Sequence, residues 1–450
     1  MNQQVVCKHT TGWQTREKLS MYLLIDVVKD LVQKNRSGNW PSTCSFKLKC
    51  INSRTLDESV EKIGIKRYFH TSKSSTLNAE FDASKSSSAS GGEGQPAWPA
   101  QSPDTLIEAW FYTVAPRGNI HLNLPFKTIV RSLNPQVYPD MNKVIMEIHL
   151  DASSADEIQL KHDFSLIEDL SKIDVGFDQD QAKMNVTSHI PSGVTLPVVC
   201  MLWIPLQTDL TATVQSDKDL TVEKLEGNDM NLSTQQGNCY LKSLKCGSVN
   251  VQSCAGNIIS RSTVLGNINF QVGKSGGIQA DKLQGSNVVC QTEMGGVAVK
   301  SLYADMTTVH TTGGTVQLGQ CHGQMILQGG HSHVRIGSLE GDIDLGLVSG
   351  SVNIHLSNHS NSNIDVKDGD IHISFPDGTS TDLNLDCHTV HFGNNVPMEF
   401  VNTDIPNHLE GHLGRKGKAL VHARTLSGSI NVSLLDWIHS TNLAFEQDWS

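Results

Sequence analysis

Long apolar runs are missing from this 450-residue chain. No stretch approaches the ~20 apolar residues that a helix needs to span a bilayer. The longest run near the start, Met21 to Ile25, is too short for a secretory signal core and abuts Asp26. Aromatic residues make up only 6% and charged residues 18%. Helical bundles draw on Ala, Leu, Glu and Lys, so this balance, with its plentiful Gly, Ser, Asn and Thr, suits short strands and turns. CxxC pairs are also absent. Three of the ten cysteines lie near the start (Cys7, Cys44, Cys50), and the other seven are scattered and odd in number. That spacing excludes a compact disulfide framework and reads as small buried apolar residues in a reducing compartment.

Positive charge is scarce outside the first segment. Residues 1–76 hold 13 Lys and Arg against 6 Asp and Glu, leaving 22 against 40 for the rest. An acidic body repels phosphate backbones, so nucleic acid is not an expected partner. The basic segment carries apolar positions at helical spacing over 14–36, which predicts one amphipathic helix. It ends with Arg67, Phe69 and Ser72 in the spacing of a two-step presequence processing motif. Basic, Ser-rich leaders of this kind predict import into mitochondria, to the matrix, with a mature chain starting near Leu77. Residues 77–105 are rich in Ser, Gly, Pro and Ala and read as a disordered linker.

What the chain does have is a repeat. A Gly, a small polar residue, an apolar, a polar and an apolar residue recur as Gly247-Ser248-Val249-Asn250-Val251 and Gly266-Asn267-Ile268-Asn269-Phe270. Later copies include Gly341-Asp342-Ile343-Asp344-Leu345 and Gly369-Asp370-Ile371-His372-Ile373. Period-two alternation marks strands with one buried face, and a glycine before each strand suits a tight corner. Units of about ten residues cannot bury an apolar face alone, but stacked units share one core. The expected fold is all-β: a single-chain β-solenoid, with two strands per coil of 19–20 residues or three per coil of about 28. A β-rich lead-in cap over 106–208, repeats over 209–375 and a C-terminal β cap over 376–450 complete the expected organisation.

The G-[SDN]-[IV]-x-[VIL] coils behind a β lead-in resemble the "putative adhesin" family, over roughly 106–440. The resemblance implies a β-solenoid without catalysis, and it defines no functional residues to carry over.

Two clusters nevertheless invite chemistry. Stacked coils would set Asp344 about 5 Å from Asp365, with Asp368 and Asp370 nearby, as a Ca²⁺ site or an acid/base pair. Histidines gather late in the chain: Cys321, His322, His331 and His333, then Cys387, His388 and His391. These are zinc-ligand types, but they lack a second tight pair, and Asn/Ser-rich coils accept His as another polar residue. Phosphate loops, nucleophile elbows and HExxH are missing. The sequence therefore predicts no catalytic, metal or cofactor residues. It predicts a scaffold that binds a protein or glycan partner. The alternatives are a carbohydrate-active or metal-dependent enzyme at Asp344/Asp365, and a secreted or surface adhesin using the sequons at Asn185, Asn231, Asn358 and Asn431.

Overall fold

The computed structural model describes residues 46–52, 66–69, 106–151, 173–178, 182–188, 197–393, 396–401, 405–415 and 419–435. Among them all regular structure is β-strand. The helix expected over 14–36, the linker over 77–105 and Ser72 lie outside the described residues. Arg67 and Phe69 fall in a strand, Lys66–Phe69.

The chain divides into two units. The smaller contains Phe46–Asn52, which pairs parallel with Lys66–Phe69 and antiparallel with Leu106–Thr113. The larger is the solenoid expected from the repeat.

Each coil of that solenoid carries two strands, and every strand pairs parallel with the equivalent strand of the next coil. Leu210 lies opposite Met230, Met230 opposite Val249, and Val249 opposite Ile268. Side chains of like character therefore stack directly on one another, and hydrogen bonds between coils recur at a sequence separation of 19. Two-strand coils thus replace the three-strand alternative. The inward residues of one strand row, such as Val249, Ile268, Val288, Ile343 and Ile364, are buried. They face those of the other row, such as Ile258, Ile278, Val297, Val352 and Ile371, across a thin core. The period-two pattern is the cause: one face of each strand is greasy, and the core exists only because neighbours cover one another's open edges.

Glycine sets how closely the corners approach. A Cβ on Gly295 would overlap the carbonyl oxygen of Gly276 in the coil before. Gly369 meets the same obstacle at Gly350 and adds a φ of +145°, a backbone region nearly closed to other residues. Polar side chains staple the same corners. Asp209 Oδ1 accepts the Asn228 and Asp229 N–H groups at 2.7 and 3.1 Å. Asp219, Asn238 and Asn257 form a similar ladder, each side-chain oxygen taking a backbone N–H from the next coil at 2.7–2.9 Å. Corner N–H groups are thereby satisfied by the coil beside them.

Both ends of the column are assembled out of chain order. The coil Asn119–Leu124 and Lys127–Ser132 pairs forward with Asp209–Val214 and Leu220–Glu223. Its other side is covered by Lys183–Ser188 and Val198–Ile204, which lie between those two coils in sequence. The far end repeats the device. Asn361–Asp368 and Ile371–Pro376 pair with Ala419–Ser427 and Ser429–Leu435, and the intervening Thr381–Asp386 and Thr389–Phe392 lie beyond these. Antiparallel strands follow at each end of one row: Ile173–Phe177 on Lys183–Ser188, and His408–Leu413 on Thr381–Asp386 with Met398–Val401 beyond it. Reversing the strand direction stops the parallel stack and covers an edge that would otherwise recruit other chains.

Candidate binding face

Alternation fixes which side chains face outward. On the strand row containing Val249 and Ile268, Asn231, Asn250 and Asn269 stack in register on the outer side. Asn250 Nδ2 donates to Asn231 Oδ1 at 3.0 Å, and Ser248 Oγ donates to Asp229 Oδ1 at 2.8 Å. Gln252 Nε2 donates to Gln271 Oε1, and Gln271 Nε2 to Asn269 Oδ1, each at 3.3 Å. The result is a flat face of amides and hydroxyls, held by bonds between coils and along the strand, at a rise of about 4.8 Å per coil.

At its C-terminal end the same face becomes charged. Asp386 lies opposite Arg424, and Arg424 opposite Asp365. The antiparallel strand His408–Leu413 then brings His408 opposite Asp386 and His412 opposite Asp382. His408 Nδ1 is 2.6 Å from Asp386 Oδ1, and its Nε2 is 3.1 Å from Glu410 Oε1. His412 Nδ1 is 2.7 Å from Asp382 Oδ1. His422 bridges Asn363 and Asp386, at 3.1 Å each. Hydrogen bonds to Asp386 and then Glu410 raise the His408 pKa, outweighing its partial burial. Burial pushes the Asp386 carboxyl up, but the bonds from His408 and His422 together hold it below its ordinary range.

The carboxylates singled out from sequence do not assemble as expected. Asp344 does not stack on Asp365. Coils here are offset by 19 residues, so Asp344 faces Asn363, whose Nδ2 donates to it at 3.0 Å, while Asp365 faces Gly346. Asp370 Oδ1 accepts both the N–H and the hydroxyl of Ser429 at 2.8 Å, and these bonds lower its pKa. Asp368 takes the Ser427 hydroxyl at 2.6 Å. Both are corner staples.

The histidine and cysteine sets also disperse. Cys321 points into the core, where burial pushes its thiol up to about 12. His322 stands outside, stacked on Tyr303 at 5.2 Å and paired with Glu340 at 2.9 Å. His331 and His333 each meet a serine of the next coil, Ser349 and Ser351. Cys387 is buried and donates to the Thr389 carbonyl at 3.3 Å, whereas His388 and His391 are exposed. Among the described residues no three His, Cys, Asp or Glu side chains are grouped to hold a metal ion.

Sequence reasoning passed over His408, His412 and His422. The signal was present as two alternations, Asp382-x-Asn384-x-Asp386 and His408-x-Glu410-x-His412. Only the antiparallel register, which no local pattern encodes, makes partners of them.

Residues 258–433 match the family model described as Toastrack DUF4097. Two solved structures are similar in part. One is a putative cell adhesion protein from Clostridium sporogenes, at 9% identity, covering 73% of this chain and 99% of that one, with a TM-score of 0.15. The other is a putative adhesin from Bacteroides fragilis, at 11% identity, covering 73% and 97%, with a TM-score of 0.24. Neither likeness is close enough to transfer a function. The mitochondrial matrix location expected from the leader is corrected by these matches: both structures come from bacteria, which have no such compartment. Among the described residues no helix is long and apolar enough to cross a membrane.

Proposed function

We propose that this chain is a non-catalytic binding protein of the adhesin type, presenting the outer ladder face of its solenoid to a protein or glycan. The observation that carries the reading is the pre-ordering of that face. Asn231 and Asn250, and Gln252 and Gln271, already bond across coils, and Gln271 also holds Asn269 within its own strand, so a partner meets side chains whose rotamers are fixed. Ordering each such side chain on binding would otherwise cost about 0.5–1.5 kcal/mol. The segments 106–208 and 376–450 serve in this reading as end caps that keep the column from extending. Hydrolysis or lyase chemistry at Asp344/Asp365 has nothing in its favour, since the coil register gives each carboxylate a different partner.

Glycan-array and cell-surface binding of the full chain tests this, compared with Asn250→Lys/Gln271→Lys. Those residues are on the outer face and leave the core intact, so affinity is expected to fall ~10-fold or more with an unchanged thermal midpoint. Undiminished binding by the double variant, or turnover of any bound glycan, would overturn the reading.

A further inference from the structure

A second surface of the same column has the opposite electrostatic character. It runs along the corner that joins the strand row of Ile258 and Ile278 to the row of Ile268 and Val288. Lys242 and Arg261 are register partners in adjacent coils, so two cationic side chains rise from strands whose backbones lie about 4.8 Å apart. Like charges directly opposite destabilise a sheet. On its other side Lys242 faces Glu223, but that carboxylate is bonded to Arg131 at 2.9 Å, and the chain as a whole has a net charge of −11. The line continues to Lys300, whose Nζ lies 3.0 Å from Asp281, and Arg261 reaches the same carboxylate only at 3.9 Å. One carboxylate is thus shared by two cations. Lys245 flanks the line and pairs with Glu226 at 3.3 Å, while Lys282 sits 5.1 Å above the Tyr303 ring. Arg261, Lys245 and Lys300 keep 56, 68 and 47% of their side-chain surface exposed.

We infer that this corner, centred on Lys242 and Arg261, binds a linear acidic polysaccharide, with carboxylate or sulfate groups supplying the missing counter-charge. Chain shape favours a glycan over a duplex nucleic acid. The basic line is narrow: Glu226 lies opposite Lys245 and Asp229 opposite Ser248 on one flank, and Glu340 pairs with His322 further along. A thin polymer lying along the column axis meets this line, in which Glu223 and Asp281 are already engaged by Arg131, Arg261 and Lys300, whereas a duplex would also bring phosphates over the flanking acids. The coil rise also suits a repeating polymer, because cations in alternate coils recur at about 9.6 Å. This site is separate from the amide ladder of the proposed function, and the two can fail independently.

Binding of the full chain to immobilised dextran sulfate, hyaluronan, neutral dextran and a short DNA duplex tests the inference at low and high salt. The acidic glycans should be retained at low salt and released as salt rises, and neutral dextran should not bind. Lys242→Gln/Arg261→Gln should weaken acidic-glycan binding ~10-fold or more, with Lys367→Gln, at the opposite corner, binding as the parent does. The double variant should melt no lower than the parent, since it removes a repulsion, and its binding to ladder-face partners should be unaltered. Failure to retain either acidic glycan, equal affinity of parent and double variant, or equally tight binding of duplex DNA would each overturn it.

Discussion

His408 Nδ1 and Asp386 Oδ1 lie 2.6 Å apart, one on a reversed strand and the other on the coil it covers. Asp386 also receives His422, on the coil beneath, at 3.1 Å. One carboxylate therefore ties three consecutive strands at the end of the column.

Its pH dependence follows from the two shifted groups. The folded pKa of His408 is raised above 6.5, so its contribution is complete below pH 6.5 and is lost as pH rises through the raised value. That of Asp386 is lowered below 3.8, so its contribution is complete above pH 3.8 and is lost as pH falls through the lowered value. Both are present together between those limits. His408→Asn should flatten the decline of the thermal midpoint on the alkaline side, and should cost about 1 kcal/mol at pH 5.5. A parent midpoint that does not move between pH 5.5 and 8.5 would count against the clasp.

Gly295→Ala should destabilise the column by roughly 2–3 kcal/mol, because its methyl group would occupy the place of the Gly276 carbonyl oxygen. Gly176→Ala is the control. Nothing lies within 4 Å of the Cβ it would add, and the change should stay within about 0.5 kcal/mol. Urea midpoints at constant slope measure both, and equal effects at the two sites would refute steric control of the corner.

Phe270 and Asn269 are neighbours in sequence and opposites in environment. Phe270→Ala removes a fully buried ring and should cost roughly 3–5 kcal/mol. Asn269→Ala gives up one outer amide contact, 3.3 Å from Gln271, and should cost about 0.5–1 kcal/mol. The same urea titration reports the contrast.

Thiol labelling should separate the cysteines by environment. Brief alkylation of the native chain, followed by peptide mapping, should modify the exposed Cys254 and spare the buried Cys290 and Cys321. Burial pushes the latter two thiols up to about 12, leaving almost no thiolate at neutral pH. Labelling of all three at one rate would contradict the inward placement of the two buried residues.

The solenoid was legible because its determinants are local. Glycine spacing and the alternation around Val249, Ile268 and Ile343 specify both the corner and the buried face, and stacking repeats them. Chemistry at the ends was not legible, because it depends on pairings across insertions. A two-residue error in register joined Asp344 to Asp365 on paper, while the true offset gives Asp344 an amide partner in Asn363. His408 and Asp386 are neighbours only because His408–Leu413 pairs antiparallel with Thr381–Asp386. The leader's apparent address was read from charge and spacing alone, signals that basic segments share for other reasons.

Because each terminal coil is laid down by a detour, the column can be lengthened only from within. Adding one copy of a 19-residue turn in its middle would push the His408 clasp one rung further along without disturbing it. Adding the same turn beyond either detour would meet, in one strand row, a strand running the wrong way for parallel stacking. The architecture thus fixes its own termini and leaves its length free, so reach could change while the two finished ends stay as they are.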